Sequence, residues 1–225
     1  MQQPRVAFDR SLQALQQELL MMGSMVEKAI AKAVEALKQR NLSLSQEVVR
    51  EDDHIDRKRL ELEDQVVDLI AIQQPVAKDL RALITTLHIA VELERIGDYA
   101  EGIGKISIMM GDSPPVKPLV DIPRMAEKAQ RMLHQSLDAL VNRDVEAALQ
   151  VCRDDDEVDA LYDQVYRELI FLMLQDPKNI ERATYLLWTA HDLERIGDRA
   201  TNIAERVLYL VTGKMQLNPE RSPHN

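Results

Sequence analysis

Leu93-Glu94-Arg95-Ile96-Gly97-Asp98 recurs letter for letter at positions 193–198 of the same chain. The match continues on both sides, with alanine at 90 and 190, alanine at 100 and 200, and isoleucine at 103 and 203. Two such copies a hundred residues apart predict that one helical unit is written twice. Any chemistry that the repeated block supports should therefore exist in two related copies.

The composition favours helix-on-helix packing. The 225 residues are 45% hydrophobic, but they include only two Phe and one Trp, which suits a helical bundle better than a sandwich or barrel. The single cysteine, Cys152, cannot form an internal disulfide and so favours a reducing compartment. The first residues lack the pattern of a signal peptide, and no stretch approaches the roughly 18 apolar residues of a membrane span. We expect a cytoplasmic protein that meets a membrane only through partners.

The charge of the chain argues against nucleic acid as a partner. The net charge is -10 and the isoelectric point is near 5.0, whereas binding to a phosphate backbone normally needs a basic stripe. Cations and basic protein surfaces are the partners that such a field attracts, although acidity also keeps a protein soluble.

The spacing of the apolar residues predicts six helices, three in each half. A Ser43-x-x-Gln46 capping box predicts where the second helix begins, and Asp176 followed by Pro177 is a good start for the sixth. The first three helices are expected at about 8–40, 45–73 and 75–110, the fourth and fifth follow Pro123 and break at 142–144, and the sixth runs to Gly213. The predicted organisation is a first bundle over 1–112, a linker over 113–120, a second bundle over 121–213 and a flexible tail over 214–225.

The repeated block places carboxylates on one side of the third helix. Residues four apart are neighbours on a helix, so Glu94 and Asp98 lie together, with Glu101 one turn further on. The apolar residues occupy the opposite side and must face the core, so we expect the acids to point outward from the bundle. Gly97 costs about 1 kcal/mol relative to Ala inside a helix, which suggests that something approaches the backbone there, a close-packed helix being the simpler interpretation.

The sixth helix repeats this arrangement with Glu194, Gly197 and Asp198. Thr201 replaces the third acid, and Asn202 offers the next oxygen. The two copies are therefore expected to differ in metal affinity or in the number of metal ions.

A second set of acids lies on the preceding helices, as the pairs Asp52/Asp56 and Asp155/Asp159. The short connection at Pro75 implies that helices two and three are antiparallel neighbours. The pairs at 52–56 and 94–98 then lie at comparable distances from that turn, so they could share one site.

Clustered carboxylates raise each other's proton affinity, and a cation relieves that repulsion. Ligand sets made only of oxygen favour Mg, Ca, Mn or Fe over zinc. The alternative is a solvated acidic face that nearby arginines and lysines balance, and the residues alone leave both interpretations open. Arg95 and Arg195 are expected to pair with neighbouring acids rather than to bind phosphate.

Nothing in the chain predicts catalysis, because it has no Gly-rich phosphate loop, no activated nucleophile and no zincin motif. His191 is expected to make a polar contact rather than to bind metal. The methionines at 21, 22 and 25 are expected to fill the core, with an adaptable partner surface as the alternative.

The repeated block, together with the stretches Met22–Glu27 and Gln74–Arg81, resembles the PhoU family over nearly the whole chain. The resemblance implies a cytoplasmic accessory regulator that acts with the phosphate-specific ABC transporter and a phosphate-sensing histidine kinase. In that role it represses phosphate-starvation genes when phosphate is plentiful. The resemblance also implies two three-helix bundles, often dimeric, and metal, including multinuclear iron, on (Glu/Asp)-x-x-x-Asp motifs.

We therefore expect an all-α, PhoU-like protein of two similar antiparallel three-helix bundles that acts as an adaptor without turnover. Its expected partners are a second copy, the transporter ATPase and the sensor kinase. A metal-dependent hydrolase or oxidase and a plain helical scaffold are the alternatives. The expected cofactor is a divalent or multinuclear metal, with iron, manganese, magnesium and zinc as candidates. Its expected ligands are Glu94, Asp98, Glu101, Glu194, Asp198, Asn202, Asp52, Asp56, Asp155 and Asp159.

Overall fold

The structure is a computed structural model that describes residues 3–214. Within that range the chain forms six α-helices and no strand, which confirms the predicted all-α fold. The helices are α1 Gln3–Gln39, α2 Leu42–Gln73, α3 Lys78–Met110, α4 Asp121–Asn142, α5 Val145–Gln175 and α6 Ile180–Thr212. We call α1–α3 the first half and α4–α6 the second half.

The helices form because each carries an apolar stripe that it can bury. In α2 the residues that repeat every seven positions, Val48, Ile55 and Leu62, are each no more than 2% exposed. The same heptad recurs in α5 at Val151 and Val158, which are fully buried. These stripes join those of the other helices in one hydrophobic core that spans both halves.

The second helix begins earlier than the predicted capping box. Asn41 is the N-cap, since its backbone is extended and its Oδ1 accepts a hydrogen bond from the Leu44 amide at 3.1 Å. Ser43 therefore lies inside the first turn of α2, and the predicted capping box is wrong. Asn41 rather than Ser43 is the N-cap because Arg40, in the left-handed region at φ 54°, ends α1 directly before Asn41.

The third helix begins later than predicted, at Lys78 rather than near Pro75. Gln74 and Ala77 both have positive φ, so residues 74–77 form a turn that no helix can pass through. The start of the sixth helix is closer to the prediction. Asp176 caps a short 3₁₀ turn by accepting from the Lys178 amide at 3.0 Å, and α6 follows directly.

Each half is a three-helix bundle, and the halves meet through their last helices. In the described residues α2 packs only on α1 and α3, and α5 packs on α4, α6 and the 3₁₀ turn, so both lie at the outside. Helices α3 and α6 run antiparallel along what we call the α3–α6 seam: Glu92 contacts Asn202 near its middle, and Arg81 stacks on Tyr209 at one end. Helix α1 packs against α4 on one side of that seam.

The segment between the halves is tied to both of them. Arg40 donates to the carbonyl oxygen of Asp112, and Lys117 pairs with Asp121 at 2.7 Å and with Glu168 of α5. Over residues 3–214, none of the helices combines the length and apolar character that a membrane crossing needs. The predicted tail falls almost wholly on residues 215–225, outside the described residues.

Candidate metal site

The acids of the first repeated block lie between α3 and α2. On the core side of α3, Leu93 and Ile96 are fully buried, as predicted. The side chains of Glu94 and Glu101 are only 17% and 19% exposed, because α2 covers them. The prediction that these acids point outward from the bundle is therefore only partly right.

Gly97 explains why α2 comes so close. A Cβ added at this position would lie 3.0 Å from Asp52 Oδ1 and 3.1 Å from Ile55 Cγ2, both tighter than an ordinary contact. The group that approaches the backbone here is thus a carboxylate of the preceding helix, and helix packing brings it there. Asp52 is only 8% exposed, an unusual position for an aspartate without a cation.

The structure brings the two predicted pairs of acids together. Asp52, Asp56 and Asp98 each offer a carboxylate oxygen, and these oxygens lie within 4.8 Å of one another. Asp52 Oδ1 and Glu94 Oε2 are buried and have no hydrogen-bond partner among the described residues. Buried carboxylate oxygens without donors are the ligands that a hard cation takes, so the residues present fit a metal at this place.

The electrostatics of the cluster point the same way. Burial raises the pKa of Asp52 to about 7, and the charges of Glu101, Asp56 and Asp98 add to the effect. Burial and the charge of Asp98 also raise the pKa of Glu94. A bound cation would lower both pKa values, since it supplies the missing partner charge.

The neighbouring cations lie beside Asp98, Glu94 and Glu101. Arg95 lies 3.1 Å from Asp98 Oδ2 and 3.5 Å from Glu94 Oε2, and Lys105 lies 2.6 Å from Glu101 Oε2. The predicted pairing of Arg95 with neighbouring acids is confirmed. In the described part of the chain, no ion pair reaches Asp52.

The second half repeats the same construction between α5 and α6. Asp155 is 8% exposed, and its Oδ1 lies 3.3 Å from where a Cβ on Gly197 would stand. Arg195 pairs with Asp198 at 2.9 Å and with Glu194 at 3.5 Å, as its counterpart does in the first half. The duplication therefore extends from the sequence to the geometry of the acids.

The two copies differ in how closely the oxygens converge. Within the described residues, the first-half trio is the one set that brings three ligand atoms within 4.8 Å, so Asp155, Asp159 and Asp198 are more widely spread. Thr201, which stands in the place of Glu101, is almost fully buried. The ligand role of all ten predicted residues stays a prediction.

Sequence reasoning missed the polar contacts of the α3–α6 seam. Glu92 Oε2 accepts from Asn202 Nδ2 at 3.2 Å and from Arg199 Nη1 at 3.4 Å, so the Asn202 amide takes part in joining the halves. Asp192, the counterpart of Glu92, lies on the other side of the seam against Gly102. The signal was present in the sequence, since an acid stands at the same register, 92 and 192, in both copies.

The histidines make local contacts. The His191 ring packs at a tilt of 49° against Tyr162 with ring centroids 6.1 Å apart, and its Nδ1 lies 3.7 Å from Glu194 Oε2. Burial and the charge of Arg195 lower the pKa of His191. His54 Nδ1 faces the Arg57 guanidinium at 2.5 Å.

Comparisons with known proteins point to one family. A family model described as the PhoU domain matches residues 19–107 and again residues 122–207. The chain is 41% identical over 211 residues to the phosphate-specific transport system accessory protein PhoU homolog of Clostridium acetobutylicum, covering 93% of this chain and 96% of that one. It is 39% identical over 206 residues to the homolog of Aquifex aeolicus, covering 92% and 93%.

Solved structures agree with the sequence comparisons. The crystal structure of PhoU from Pseudomonas aeruginosa superposes with a TM-score of 0.88 at 36% identity, covering 92% of this chain and all of that chain. The phosphate transport system regulatory protein PhoU from Streptococcus pneumoniae gives a TM-score of 0.87 at 28% identity, covering 93% and 99%.

Proposed function

Because this chain belongs to the PhoU family, we propose that it is a metal-binding adaptor that regulates phosphate uptake by a phosphate-specific transport system. The family membership and the names of the relatives support the link to phosphate transport. The acids between α2 and α3 support the link to metal. Both halves would take part, because each carries the same motifs.

One observation carries the metal part of the proposal. The carboxylate of Asp52 is buried against Gly97, faces two further carboxylates and has an oxygen without a hydrogen-bond donor among the described residues. Burying such a group costs free energy unless a cation compensates it. A carboxylate that stays buried in spite of this cost is typical of a site that binds an ion.

The first-half ligands would be Asp52, Asp56 and Asp98, with Glu94 and Glu101 beside them. In the second half, Asp155, Asp159, Glu194 and Asp198 would play the same part, with Asn202 nearby. The metal would supply positive charge that holds α2 to α3 and α5 to α6. Iron, manganese and magnesium suit such oxygen donors better than zinc does.

The proposed partners follow from the family. We expect a homodimer that contacts the ATPase subunit of the transporter and a phosphate-sensing histidine kinase in the cytoplasm, and that keeps phosphate-starvation genes repressed when phosphate is plentiful. The metal-bearing faces would organise the surface that these partners recognise. No turnover is proposed, and steady hydrolysis of a phosphoester by the purified protein would contradict an adaptor.

Metal content tests the site directly. The variant D52N/D155N removes one buried acid from each half, and D53N/D156N removes the next acid along each helix, which is exposed. Both variants lose two carboxyl groups. Elemental analysis of the purified proteins should find metal in the wild type and in D53N/D156N and little in D52N/D155N. Equal metal in all three would exclude the site.

A pull-down tests the regulatory part separately. The purified transporter ATPase should retain the wild type and D53N/D156N, and it should retain less of D52N/D155N or of protein treated with a chelator. If D52N/D155N loses metal but is still retained by the ATPase, the metal site exists and is not needed for recognition of this partner.

A further inference from the structure

A long apolar groove lies between α1 and α2 in the first half. Met25 and Ala29 of α1 and Leu44 and Ile55 of α2 line it, and its volume is about 630 Å³. A second pocket of about 280 Å³ shares Met25 with it and extends it to Met21. Met21 is 50% exposed, so the prediction that these methionines fill the core holds for Met22 but not for Met21.

The duplicated half provides an internal comparison for this groove. The equivalent space between α4 and α5 has a volume of only about 100 Å³. Met132 lines it at the position where the first half has Ala29, and Lys128 pairs across it with Glu157. Arg40 and the N-cap Asn41 match Arg143 and the N-cap Asp144, so these helices correspond at a spacing of 103 residues. The first half therefore has Met25 and His54 where the second half has that ion pair. The groove is open because the first half lacks the bridge and the long side chain.

The charges around the groove are unbalanced. Lys32 lies 2.7 Å from Glu47 and 2.6 Å from Glu51, so the acids near it are already paired. Among the described residues, no carboxylate pairs with Lys28 or with Arg57, which flank the groove from α1 and α2. A chain of net charge -10 thus presents unpaired positive charge on both sides of an apolar groove.

We propose that this groove is a docking site for an amphipathic helix of a partner protein, with an apolar stripe on one side and acidic residues along its edges. The groove follows α1 from Met21 to Glu35, which is about 21 Å at about 1.5 Å per residue, or roughly four helical turns. The apolar walls would receive the stripe, and Lys28 and Arg57 would face the acids. Methionine in the wall suits such a site, because its flexible side chain adapts to the ligand. The proposal does not depend on the metal site.

A peptide titration tests the proposal on the full chain. The probe is a fluorescent synthetic helix of about 18 residues with leucine at every third or fourth position and glutamate along both edges. The control peptide has the same leucines and has lysine in place of each glutamate. The wild type should bind the glutamate peptide saturably and at least about tenfold more tightly than the lysine peptide.

Three variants separate docking from general effects. A31W places an indole in the groove from an exposed position and should weaken binding about tenfold, whereas A160W, at an exposed position of α5, should leave it unchanged. K28E/R57E should reverse the preference in favour of the lysine peptide. Equal behaviour of A31W and A160W, or no preference between the peptides, would overturn the proposal. Absence of peptide binding, with A31W changing only the oligomeric mass, would assign the groove to a second copy of the chain.

Discussion

At the scale of single residues, the chain holds the buried Asp52 and the half-buried Asp192 in two different settings. Asp52 lies among other carboxylates, where a cation can compensate it. Asp192 lies at the α3–α6 seam, where its Oδ2 is 2.9 Å from the position that a Gly102 Cβ would take. Burial alone raises the pKa of Asp192 to about 7. Its counterpart Glu92 accepts hydrogen bonds from Arg199 and Asn202. Over residues 3–214, no ion pair is formed by Asp192, so only one of the two equivalent acids is compensated by a cation.

This difference predicts that D192N changes how stability depends on pH. The folded-state pKa of Asp192 lies above the ordinary value of 3.8, so the folded protein holds this proton more tightly than the unfolded chain does. The resulting contribution to the free energy of unfolding is complete below about pH 4 and is lost as the pH rises through about 7. Asparagine does not ionise, so above pH 7 the variant should exceed the wild type in free energy of unfolding by about 2–4 kcal/mol. Urea unfolding at about pH 5 and about pH 8 measures the difference. The exposed acid variant D53N is the control, and identical pH dependence in D192N and the wild type would refute the assignment.

The two glycines of the repeated block predict a second, sharper comparison. In G97A the new methyl group would lie 3.0 Å from Asp52 Oδ1 and 3.1 Å from a branched, buried Ile55. We expect a loss of about 1–2 kcal/mol, despite a gain of about 1 kcal/mol in helix propensity. In G197A the nearest atom is Asp155 Oδ1 at 3.3 Å, and Val158 is further away at 3.5 Å, so the net change should stay within about 0.5 kcal/mol. Thermal unfolding of both variants decides it: equal losses would mean that the halves pack alike.

At the scale of helices, their ends decide where each element begins. Asn41 is the one residue between Arg40, which closes α1, and Leu42, which opens α2. Its side chain satisfies an amide that would otherwise lack a partner at the start of α2. The turn between α1 and α2 is therefore short, and the antiparallel pairing of these helices follows from it.

This predicts that N41A destabilises the protein by about 1 kcal/mol, because the Leu44 amide loses its acceptor. S43A should change stability by less than about 0.5 kcal/mol, since Ser43 lies within the helix. Chemical unfolding of the two single variants is sufficient. A larger loss of unfolding free energy in S43A than in N41A would show that Ser43 caps α2, as the sequence predicted.

At the scale of the whole molecule, the sequence predicts what depends on local pattern and misses what depends on how the halves meet. The six helices and the buried side of each follow from the spacing of apolar residues, which can be read from one sequence without an alignment. The contact of Glu92 with Arg199 joins residues 107 positions apart, and no local pattern specifies it. The groove beside α1 likewise depends on a contrast between Met25 and Lys128 that becomes visible only when the halves are superposed. The boundaries of the two bundles and the linker stay a prediction.

The contrast between the halves also predicts two unequal metal sites, on the basis of the proposed function. The first half brings three oxygens within 4.8 Å, and Glu101 adds negative charge, whereas the second half has Thr201 there and a wider spread of acids. More converging charge binds a hard cation more tightly, so titration with Mn²⁺ at about pH 8 should show two classes of site, with the tighter class lost in D52N and the weaker class lost in D155N. Lowering the pH below about 7 should weaken the tighter class first, because the pKa of Asp52 is about 7 and a proton then competes with the metal. A single class of sites that both variants reduce equally would show that the halves bind metal alike in spite of their different geometry.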